Sequence, residues 1–570
     1  MLLLLADALL LVFITLSLGV LSVSGLEKLF GLPVPANILE IFLTGLIASG
    51  IYFNMLSFWL PVNFFTLIPL FILSLAVLWF FPARVRQIRY SIRHTLEYVF
   101  SPPNRIVSLC LAATLIFYGI IPSGNTDSAG YHYLSILWYE TYKVVPGLAN
   151  IHARLAFNSV SFIIQAAYSF TRPLGQSIYP LNGVLTGMFF AWLVLKLLRT
   201  KDLRAGLIYA VLIFMFYRIL LINISSTSSD ALVDICMAYA MIRLYEILVS
   251  GKAGLSQFLI PTLVILYSVT AKLYAFPILS ALPYIYFLLP KKEKKYPFFL
   301  KVSGICLFLY LPWMVRNYIM SGYIIYPFPY LIFFHPDWQV SFNVLKYNVF
   351  FVYSDRPGVS FARWFFSPQL FSFRNWSANL LLLVAAILSP LYWLVLYGRS
   401  RKAIYSMLPG WLIIYSGLWV WLFMVGNFRF GAVIFSLSFI FPFLAWQHGH
   451  PERRPKRFSF LINLLFMLAA LYYIKTGYSK PSTYPFTLAD CWLYPLKDIR
   501  YKNNKADFPY ATLRNGVKLY LGDSKHECIN TDLPCRLFYT GEIEMRGDRI
   551  DQGFRTIKDE TLPYYPFIIK

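Results

Sequence analysis

Long apolar stretches alternate with short polar ones along almost the whole chain. Many of the apolar stretches hold about twenty residues, the length that an α-helix needs to cross the hydrocarbon core of a bilayer. The pattern therefore predicts an all-α polytopic membrane protein with about fourteen transmembrane helices. The predicted helices lie near residues 1–22, 36–58, 62–82, 105–122, 178–198, 206–222, 229–248, 257–271, 275–290, 297–316, 377–397, 403–424, 430–447 and 458–474.

The basic residues predict how these helices are oriented. Lys and Arg gather in alternate loops, and short loops rich in these residues usually face the cytoplasm. The basic sets are Arg84, Arg86, Arg89, Arg93 and Arg105; Lys196, Arg199, Lys201 and Arg204; Lys291, Lys292, Lys294 and Lys295; Arg399, Arg401 and Lys402; and Arg453, Arg454, Lys456 and Arg457. All of these sets can be cytoplasmic only if residues 154–170 do not cross the membrane. We therefore expect this segment to be a helix that lies at the outer membrane interface or dips into the membrane from outside.

This orientation places both ends of the chain on the extracytoplasmic side. The first apolar run lacks a basic n-region and a good cleavage site, so we expect a retained span rather than a signal peptide. Outer loops are predicted at residues 123–177 and 317–376. Residues 476–570 are expected to form a small extracytoplasmic α/β domain, with turn signals such as RNGVKLYLGD.

Composition supports a membrane protein and limits its partners. Hydrophobic residues make up 58% of the chain and charged residues only 13%, whereas soluble domains are about one quarter charged. The formal net charge of +24 would suggest nucleic-acid binding in a soluble protein, but here the basic residues lie in the loops that set topology. We therefore expect membrane lipids, and no nucleic acid, among the partners.

One predicted outer loop is dense in ionisable side chains. Residues 124–155, GNTDSAGYHYLSILWYETYKVVPGLANIHARL, include Asp127, Tyr131, His132, Glu140, Lys143, His152 and Arg154. Asp127 is a candidate general base, and its alternative role is to cap the helix that follows. Glu140 and Lys143 are expected on a solvated helix face. His132 and His152 are more typical of interfacial polar residues than of metal ligands.

Several spans carry a charged residue at the end that faces this loop. These residues are Arg218, Asp230, Asp234, Lys272, Arg316 and Arg429. Charge within hydrocarbon is costly, and a transporter more often carries it near mid-membrane. We expect Lys272, Arg316 and Arg429 to line a polar cavity beneath Asp127, where they would bind the phosphate of a lipid whose tail stays in the bilayer. The alternative is that each snorkels singly to the headgroups.

These features together resemble the GT-C superfamily of integral-membrane glycosyltransferases, which includes protein mannosyltransferases and aminoarabinose transferases. The resemblance is carried by the span 105–122, Asp127 in the first large outer loop, Tyr131 one turn later, the segment 154–170, and the stretches SSDAL, TAKLYAFP, PWMVRNYIMSGYIIYP and NFRFGA. It covers roughly residues 105–475 and is strongest to bacterial members with extra N-terminal spans. Residues 1–104 would then be three additional transmembrane helices and a basic cytoplasmic loop. Many members carry a paired acidic motif where this chain has the single Asp127, which leaves the use of a divalent cation open.

The resemblance implies an activity and a location. The chain would be a bacterial inner-membrane enzyme that moves a sugar from a polyprenyl-phosphate-linked donor to an envelope glycan, lipid or protein. Asp127 would be the catalytic base, and Lys272, Arg316 and Arg429 would contact the donor phosphate. Further candidate site residues are Tyr131, His132, Arg154, Arg218 and Asp230.

Two other classes of function fit the same pattern. An O-antigen polymerase or ligase relies on charged residues in a large outer loop, and residues 317–376 offer His335, Asp337, Asp355, Arg356, Arg363 and Arg374. A non-catalytic lipid translocator or scaffold of an envelope complex would use the long aromatic loops as partner surfaces.

The cysteines divide between the spans and the C-terminal domain. Cys110, Cys236 and Cys306 lie in predicted spans, where we expect them to pack as small apolar residues. Cys528 and Cys535 flank INTDLP on the side predicted to be oxidising, so a disulfide is expected between them. No Cys or His spacing is that of a zinc site, and no metal ligands are predicted.

Overall fold

A computed structural model gives the architecture. It describes residues 1–102, 104–121, 125, 127–250, 254–290, 296–328, 331–342, 344–345, 384–397, 401–424, 428–449, 457–479, 492–493, 508–513, 516–522, 528, 531–536 and 542–558.

Helices form most of the described chain. They are α1 (Leu2–Phe30), α2 (Ile38–Leu56), α3 (Leu67–Phe80), α4 (Pro82–Val99), α5 (Arg105–Ile120), α6 (Tyr133–Thr141), α7 (Val160–Tyr168), α8 (Thr171–Leu174), α9 (Leu181–Arg199), α10 (Leu203–Leu221), α11 (Asp230–Ser250), α12 (Leu255–Ala271), α13 (Ala281–Leu288), α14 (Tyr296–Ser321), α15 (Ser389–Tyr397), α16 (Arg401–Met424), α17 (Phe428–Gly449) and α18 (Arg457–Ser479). Each apolar segment predicted from the sequence contains one of these helices or part of one. The predominantly helical fold is therefore confirmed.

The predicted number of membrane spans is not confirmed. Within the described residues, six helices are long and apolar enough to cross a bilayer, and a seventh is obtained if the bent pair α3 and α4 counts as one span. Other apolar helices, such as α5 and α12, fall in the range of 10–17 residues. Apolar residues at helical spacing indicate a helix, but they do not say whether it keeps one direction across the full thickness of the hydrocarbon.

The basic loop predicted after the third span is largely a helix. The chain turns by 96° between α3 and α4. Pro82 occupies the first turn of α4, where its missing N–H leaves no helical hydrogen bond unmade. None of the residues of α4 is buried.

The centre of the bundle is α11. All residues from 230 to 242 are buried, and the helix packs against α9, α12, α16 and α17. A helix that is apolar on all sides is stable only when protein or lipid surrounds it. The charged residues of α11 lie towards its two ends: Asp230 and Asp234 near the start, and Arg243 and Glu246 near the C-terminal end.

The segment expected at the membrane interface is enclosed by protein. Residues 154–170 divide into a 3-10 turn, Ala153–Ala156, and helix α7, and all nine residues of α7 are buried. The helix contacts α2, α6 and α12. A helix lying at the interface keeps one face in lipid and another in water. The burial of α7 therefore argues against a position at the lipid–water interface.

The C-terminal region contains strands, as predicted for the tail. Strands β1 (Tyr510–Thr512) and β2 (Lys518–Leu521) pair antiparallel, and β2 pairs in parallel with β3 (Cys535–Arg536). Strands β4 (Glu542–Met545) and β5 (Phe554–Lys558) form a separate antiparallel hairpin, which we call the C-terminal hairpin. The predicted disulfide between Cys528 and Cys535 is present, with an S–S distance of 1.99 Å.

Candidate functional site

Asp127 lies where the chain enters α6. It precedes a π-helical turn, Ser128–His132, and its side chain makes no capping hydrogen bond to that turn. Its Oδ1 lies 3.5 Å from Nη1 of Arg154, and 27% of its side chain is exposed. Capping alone therefore does not account for Asp127, whose carboxylate faces a cation and solvent.

Arg154 is held between this carboxylate and an aromatic ring. Its guanidinium carbon lies 5.5 Å from the ring centre of Tyr131. The Tyr131 ring in turn lies 4.4 Å from the imidazole of His132, which contacts Phe162 at 5.0 Å. His132 is fully buried, so the expectation of an interfacial position is wrong for this residue. Its ring fills the space between α6 and α7.

A serine-rich loop connects Asp127 to the start of α11. The hydroxyl of Ser226 lies 2.9 Å from the hydroxyl of Ser128, and Asn125 donates to it at 3.3 Å. The backbone N–H of Ser228 also donates to Ser226 Oγ, and Ser228 Oγ accepts from the N–H of Asp230. An unbroken hydrogen-bonded path therefore runs from the Asp127 turn to Asp230.

Lys272 belongs to the same region. Its Nζ lies 2.5 Å from Oδ1 of Asp230; the Asp230 side chain is fully buried, whereas 23% of the Lys272 side chain is exposed. Next to this pair, Tyr274 donates its hydroxyl to Asp234 at 2.8 Å. Because its charge partner is a buried carboxylate, Lys272 does not simply snorkel to the headgroups. The side chain of Lys272 is thus partly exposed at the end of α12.

Arg316 occupies a different place. It is 1% exposed and lies 4.2 Å from the ring centre of Tyr139. Among the described residues its Nε and Nη1 have no hydrogen-bond partner. Tyr139 follows Tyr131 by eight residues, an axial rise of about 12 Å along a helix. The structure thus pairs Arg316 with Tyr139 rather than with Asp127.

The side chains of Arg218 and Arg429 lie outside the described part of the chain.

Two further ionisable groups of this loop are shifted by burial. Glu140 accepts a hydrogen bond from Thr171 Oγ1 at 3.0 Å, and burial raises its pKa to about 7. Burial, helped by the charge of Arg154, lowers the pKa of His152 to about 3, so this histidine is neutral at physiological pH. The solvated face predicted for Glu140 is therefore wrong, while Lys143, with 44% of its side chain exposed, does face solvent.

The C-terminal hairpin packs onto the same loop. Asn150 is fully buried and joins three distant segments. Its Nδ2 lies 2.9 Å from the carbonyl of Trp338 and 3.2 Å from that of Phe554, and its Oδ1 accepts from Thr556 Oγ1 at 2.8 Å. The three regions predicted to share one side of the membrane are therefore in contact.

A tight approach of two backbones makes this contact possible. Gly147 has a φ of +65°, and a Cβ placed there would lie 2.0 Å from the carbonyl oxygen of Phe554. Only glycine combines that backbone conformation with the absence of a side chain. The N–H of Phe554 completes the contact by donating to the carbonyl of Pro146 at 3.0 Å.

Ion pairs surround the docked hairpin. Arg546 binds Asp337 with Nε 2.9 Å from Oδ2 and lies 4.5 Å from the ring centre of Trp338. The hydrogen bond from Arg546 lowers the pKa of Asp337, and Arg555 contributes to the shift. A polar cavity of about 390 Å³ opens between the loop and the hairpin, lined by Lys143, Arg546, Arg549, Asp551 and Gln552.

These contacts bear on the residues considered for a polymerase or ligase. Asp337 is engaged by the hairpin, and His335 Nδ1 lies 2.9 Å from Gln339 Oε1. The remaining candidates of that loop, Asp355, Arg356, Arg363 and Arg374, lie outside the described residues. Within the described residues, no group of three or more His, Cys, Asp and Glu side chains is placed to hold a metal ion.

A second charged cluster lies at the opposite end of α11. Glu40 is 2% exposed, and its Oε1 accepts from the Tyr239 hydroxyl and from Arg243 Nε, each at 2.7 Å. Arg243 also donates to Glu246 at 2.9 Å, and Glu246 pairs with Lys196. Sequence reasoning missed this cluster, although charged residues inside the apolar run of α11 were a visible signal. It also missed the serine path and the hairpin contacts.

A comparison with known protein families gives a match that extends well beyond the candidate site. A family model matches residues 1–436. The match includes Asp127, Asp230, Lys272 and Arg316, and it ends within α17, before the C-terminal hairpin. Neither the curated proteins nor the solved structures contain a match to the chain. Since the matched region covers well over half of the sequence, the chain belongs to the family described as Domain of unknown function (DUF8201).

Proposed function

We propose that this protein is a glycosyltransferase that moves a sugar from a polyprenyl-phosphate-linked donor to a cell-envelope acceptor on the extracytoplasmic face of a bacterial inner membrane. The observation that carries the proposal is the hydrogen-bonded path from the turn after Asp127 to the backbone of Asp230, whose side chain pairs with Lys272. It sets the partly exposed side chains of Asp127 and Lys272 in one region at the ends of apolar helices. A lipid-linked phosphate would reach this depth while its polyprenyl chain stays in the hydrocarbon.

The proposed reaction is a single displacement at the anomeric carbon of the sugar. Asp127 takes the proton of the acceptor hydroxyl as the acceptor oxygen bonds to that carbon. The bond from the carbon to the phosphate oxygen breaks, and its electron pair leaves with the polyprenyl phosphate. The configuration at the anomeric carbon is therefore inverted.

Two cations have distinct parts in this proposal. Arg154, 3.5 Å from Asp127, orients the carboxylate towards the acceptor. Lys272 stabilises the charge that develops on the departing phosphate, as preorganised cations do in phosphate chemistry. Asp230 positions Lys272 and has no direct contact with the donor.

Arg316 and Arg429 remain further candidates for the donor phosphate. The unused Nε and Nη1 of Arg316 would be satisfied by phosphate oxygens. Because the side chain is 1% exposed, that contact requires Tyr139 to move away from the guanidinium. Lys272, which is accessible without such a movement, is therefore the principal phosphate ligand in the proposal.

The test uses the donor that the protein itself selects. Lipids that copurify with the full-length protein are identified by mass spectrometry, and the lipid-linked sugar found is supplied as donor in vesicles. We expect Asp127→Asn to reduce transfer by about 10²–10⁴-fold, the usual contribution of a general base. Donor binding and the Tm should stay close to those of the wild type.

Asp548→Asn is a matched control, since it changes an exposed Asp of the C-terminal hairpin in the same way. It should retain full transfer. If Asp127→Asn transfers sugar as fast as this control, Asp127 is not the base. If the wild type neither retains a lipid-linked sugar nor transfers one, the enzymatic proposal itself fails.

A further inference from the structure

Helix α4 leaves the bundle at a steep angle. It turns by 96° from α3, whose exposed apolar side chains include Phe71, Ile72 and Leu75. The exposed apolar side chains of α3 indicate that this helix lies in the hydrocarbon, and a helix perpendicular to an inserted helix runs along the membrane surface. The turn occurs near the connection between α1 and α2, at the Glu40 end of the bundle.

The residues of α4 are sorted into stripes. An apolar stripe recurs every three or four residues and consists of Val85, Ile88, Ile92, Leu96 and Val99. Arg86, Arg89 and Arg93 form a second stripe beside it, and all three are exposed. A narrow apolar face flanked by arginines is the pattern of helices that lie in the headgroup layer.

Helix α4 is tied to the bundle near both of its ends, and at the second end the Tyr98 hydroxyl donates to the carbonyl of Leu198 in α9 at 3.1 Å. Arg84 forms an ion pair with Glu27 of α1. Beside this pair, a cleft separates the helices. Gln87, Ile88 and Ser91 of α4 line one side, and Val20, Val23, Ala36, Ile38 and Ile41 of α1, α2 and their connection line the other. Ile88 of the apolar stripe faces this cleft, but no residue of α4 is buried, so packing against protein does not explain the stripe as a whole.

We propose that α4 is a membrane-surface helix that binds anionic phospholipids. The apolar stripe enters the acyl region, and Arg86, Arg89 and Arg93 contact the phosphate groups. Guanidinium groups bind phosphate oxygens through charge-assisted hydrogen bonds. This role is separate from sugar transfer and places the anionic lipid at the opposite end of the bundle from Asp127.

The charge and the geometry favour lipid over a protein partner. A docked protein helix would need a groove or a broad apolar face, whereas α4 presents a narrow stripe with arginines along one flank. One arginine near an anionic membrane surface strengthens binding by about fivefold. Three arginines in one stripe therefore give a marked preference for anionic over zwitterionic lipid.

The test compares the full-length protein with two triple variants in nanodiscs. The first variant is Arg86→Gln, Arg89→Gln and Arg93→Gln. The matched control is Lys475→Gln, Lys518→Gln and Arg549→Gln, which removes the same charge from exposed positions outside α4. The nanodiscs contain either phosphatidylcholine alone or phosphatidylcholine mixed with phosphatidylglycerol.

Hydrogen–deuterium exchange of residues 82–99 is the first readout. In the wild type and the control, phosphatidylglycerol should slow exchange at these residues several-fold relative to phosphatidylcholine alone. In the α4 variant this difference should disappear. Equal exchange of the wild type in the two lipid mixtures would overturn the proposal, and so would a lipid effect that persists in the α4 variant.

Native mass spectrometry gives an independent readout that does not need the α4 variant. The delipidated wild type is offered equal amounts of phosphatidylglycerol and phosphatidylcholine, and the bound lipids are counted. We expect an excess of phosphatidylglycerol that salt reduces, because exposed charges are screened. No excess, or an excess that salt leaves unchanged, would contradict the proposal.

Discussion

The two ends of α11 hold charged clusters of similar composition but different construction. At the Glu40 end, the partners lie on regular helices: Glu40 on α2, Lys196 on α9, and Arg243 and Glu246 on α11. At the Asp127 end, the charges are held by a π-helical turn, a 3-10 turn and a serine-rich loop.

The difference fits a structural use of charge at the Glu40 end and the proposed chemical use at the Asp127 end. Both carboxylate oxygens of Glu40 accept hydrogen bonds, Oε1 from Arg243 and Tyr239 and Oε2 from the N–H of Asn37. Such a saturated cluster fixes helices against one another and offers little to a ligand. Irregular backbone, in contrast, is where proteins more often place functional groups, and π-turns are frequent at such sites.

The largest expected effect is on stability, at the Glu40 end. Glu40→Gln leaves Arg243 without one of its carboxylate partners, and breaking a buried ion pair costs about 3–5 kcal/mol. We expect a clear fall in Tm, measured by thermal unfolding in detergent. Asp127→Asn, at the other end, should change the Tm little. If the two variants are equally destabilised, the distinction between the two ends is not supported.

The next effect is a pH dependence at the Asp127 end. The pKa of Glu140 is raised from 4.5 to about 7, so the folded protein keeps a proton that the unfolded chain releases. Stability should therefore decrease as the pH rises from about 4.5 to about 7, by about 1–3 kcal/mol in total.

Glu140→Gln is the matched variant, because a neutral amide cannot ionise. Its Tm should lose the part of the pH profile that comes from Glu140, whereas Glu40→Gln should keep that part. A profile of the same shape in Glu140→Gln and in the wild type would show that Glu140 does not titrate in this range.

The smallest effect concerns the C-terminal hairpin. Asp337→Asn weakens the ion pairs with Arg546 and Arg555, which are partly exposed and therefore contribute less than about 1 kcal/mol. Hydrogen exchange should become faster in residues 542–558 and 142–150, and it should not change around Glu40. Because the pKa of Asp337 is lowered, acidification below its ordinary value of 3.8 should weaken the same contact in the wild type. Unchanged exchange in the variant would mean that the backbone contacts alone hold the hairpin.

The helical fold could be predicted because apolar residues at helical spacing are a local signal. The sequence also identified the end of the bundle at which Asp127, Asp230 and Lys272 lie, since each residue closes or opens an apolar run. It could not show that Lys272 pairs with Asp230, because that contact depends on how α12 packs beside α11. For the same reason it did not distinguish Arg316, which packs on Tyr139, from the other cations.

Other features depend on contacts that no local pattern records. The basic residues of α4 predicted a cytoplasmic loop. The helix was not predicted, because its apolar stripe is narrow and most of its residues are polar or charged. The enclosure of α7 depends on three helices remote in sequence. Asn150 gave no sign of its role, since a single polar residue in a loop is ordinarily solvated.

The buried amide of Asn150 also sets an order of events during synthesis. Its partner Phe554 lies 404 residues further along the chain. At a ribosomal rate of about 5–20 residues per second, the turn around Asn150 waits roughly 20 to 80 seconds for the strand that completes it. Throughout that interval the loop beside Asp127 lacks the contacts of Phe554 and Thr556, so the newly inserted bundle acquires this part of its surface only after the C-terminal hairpin has been synthesised.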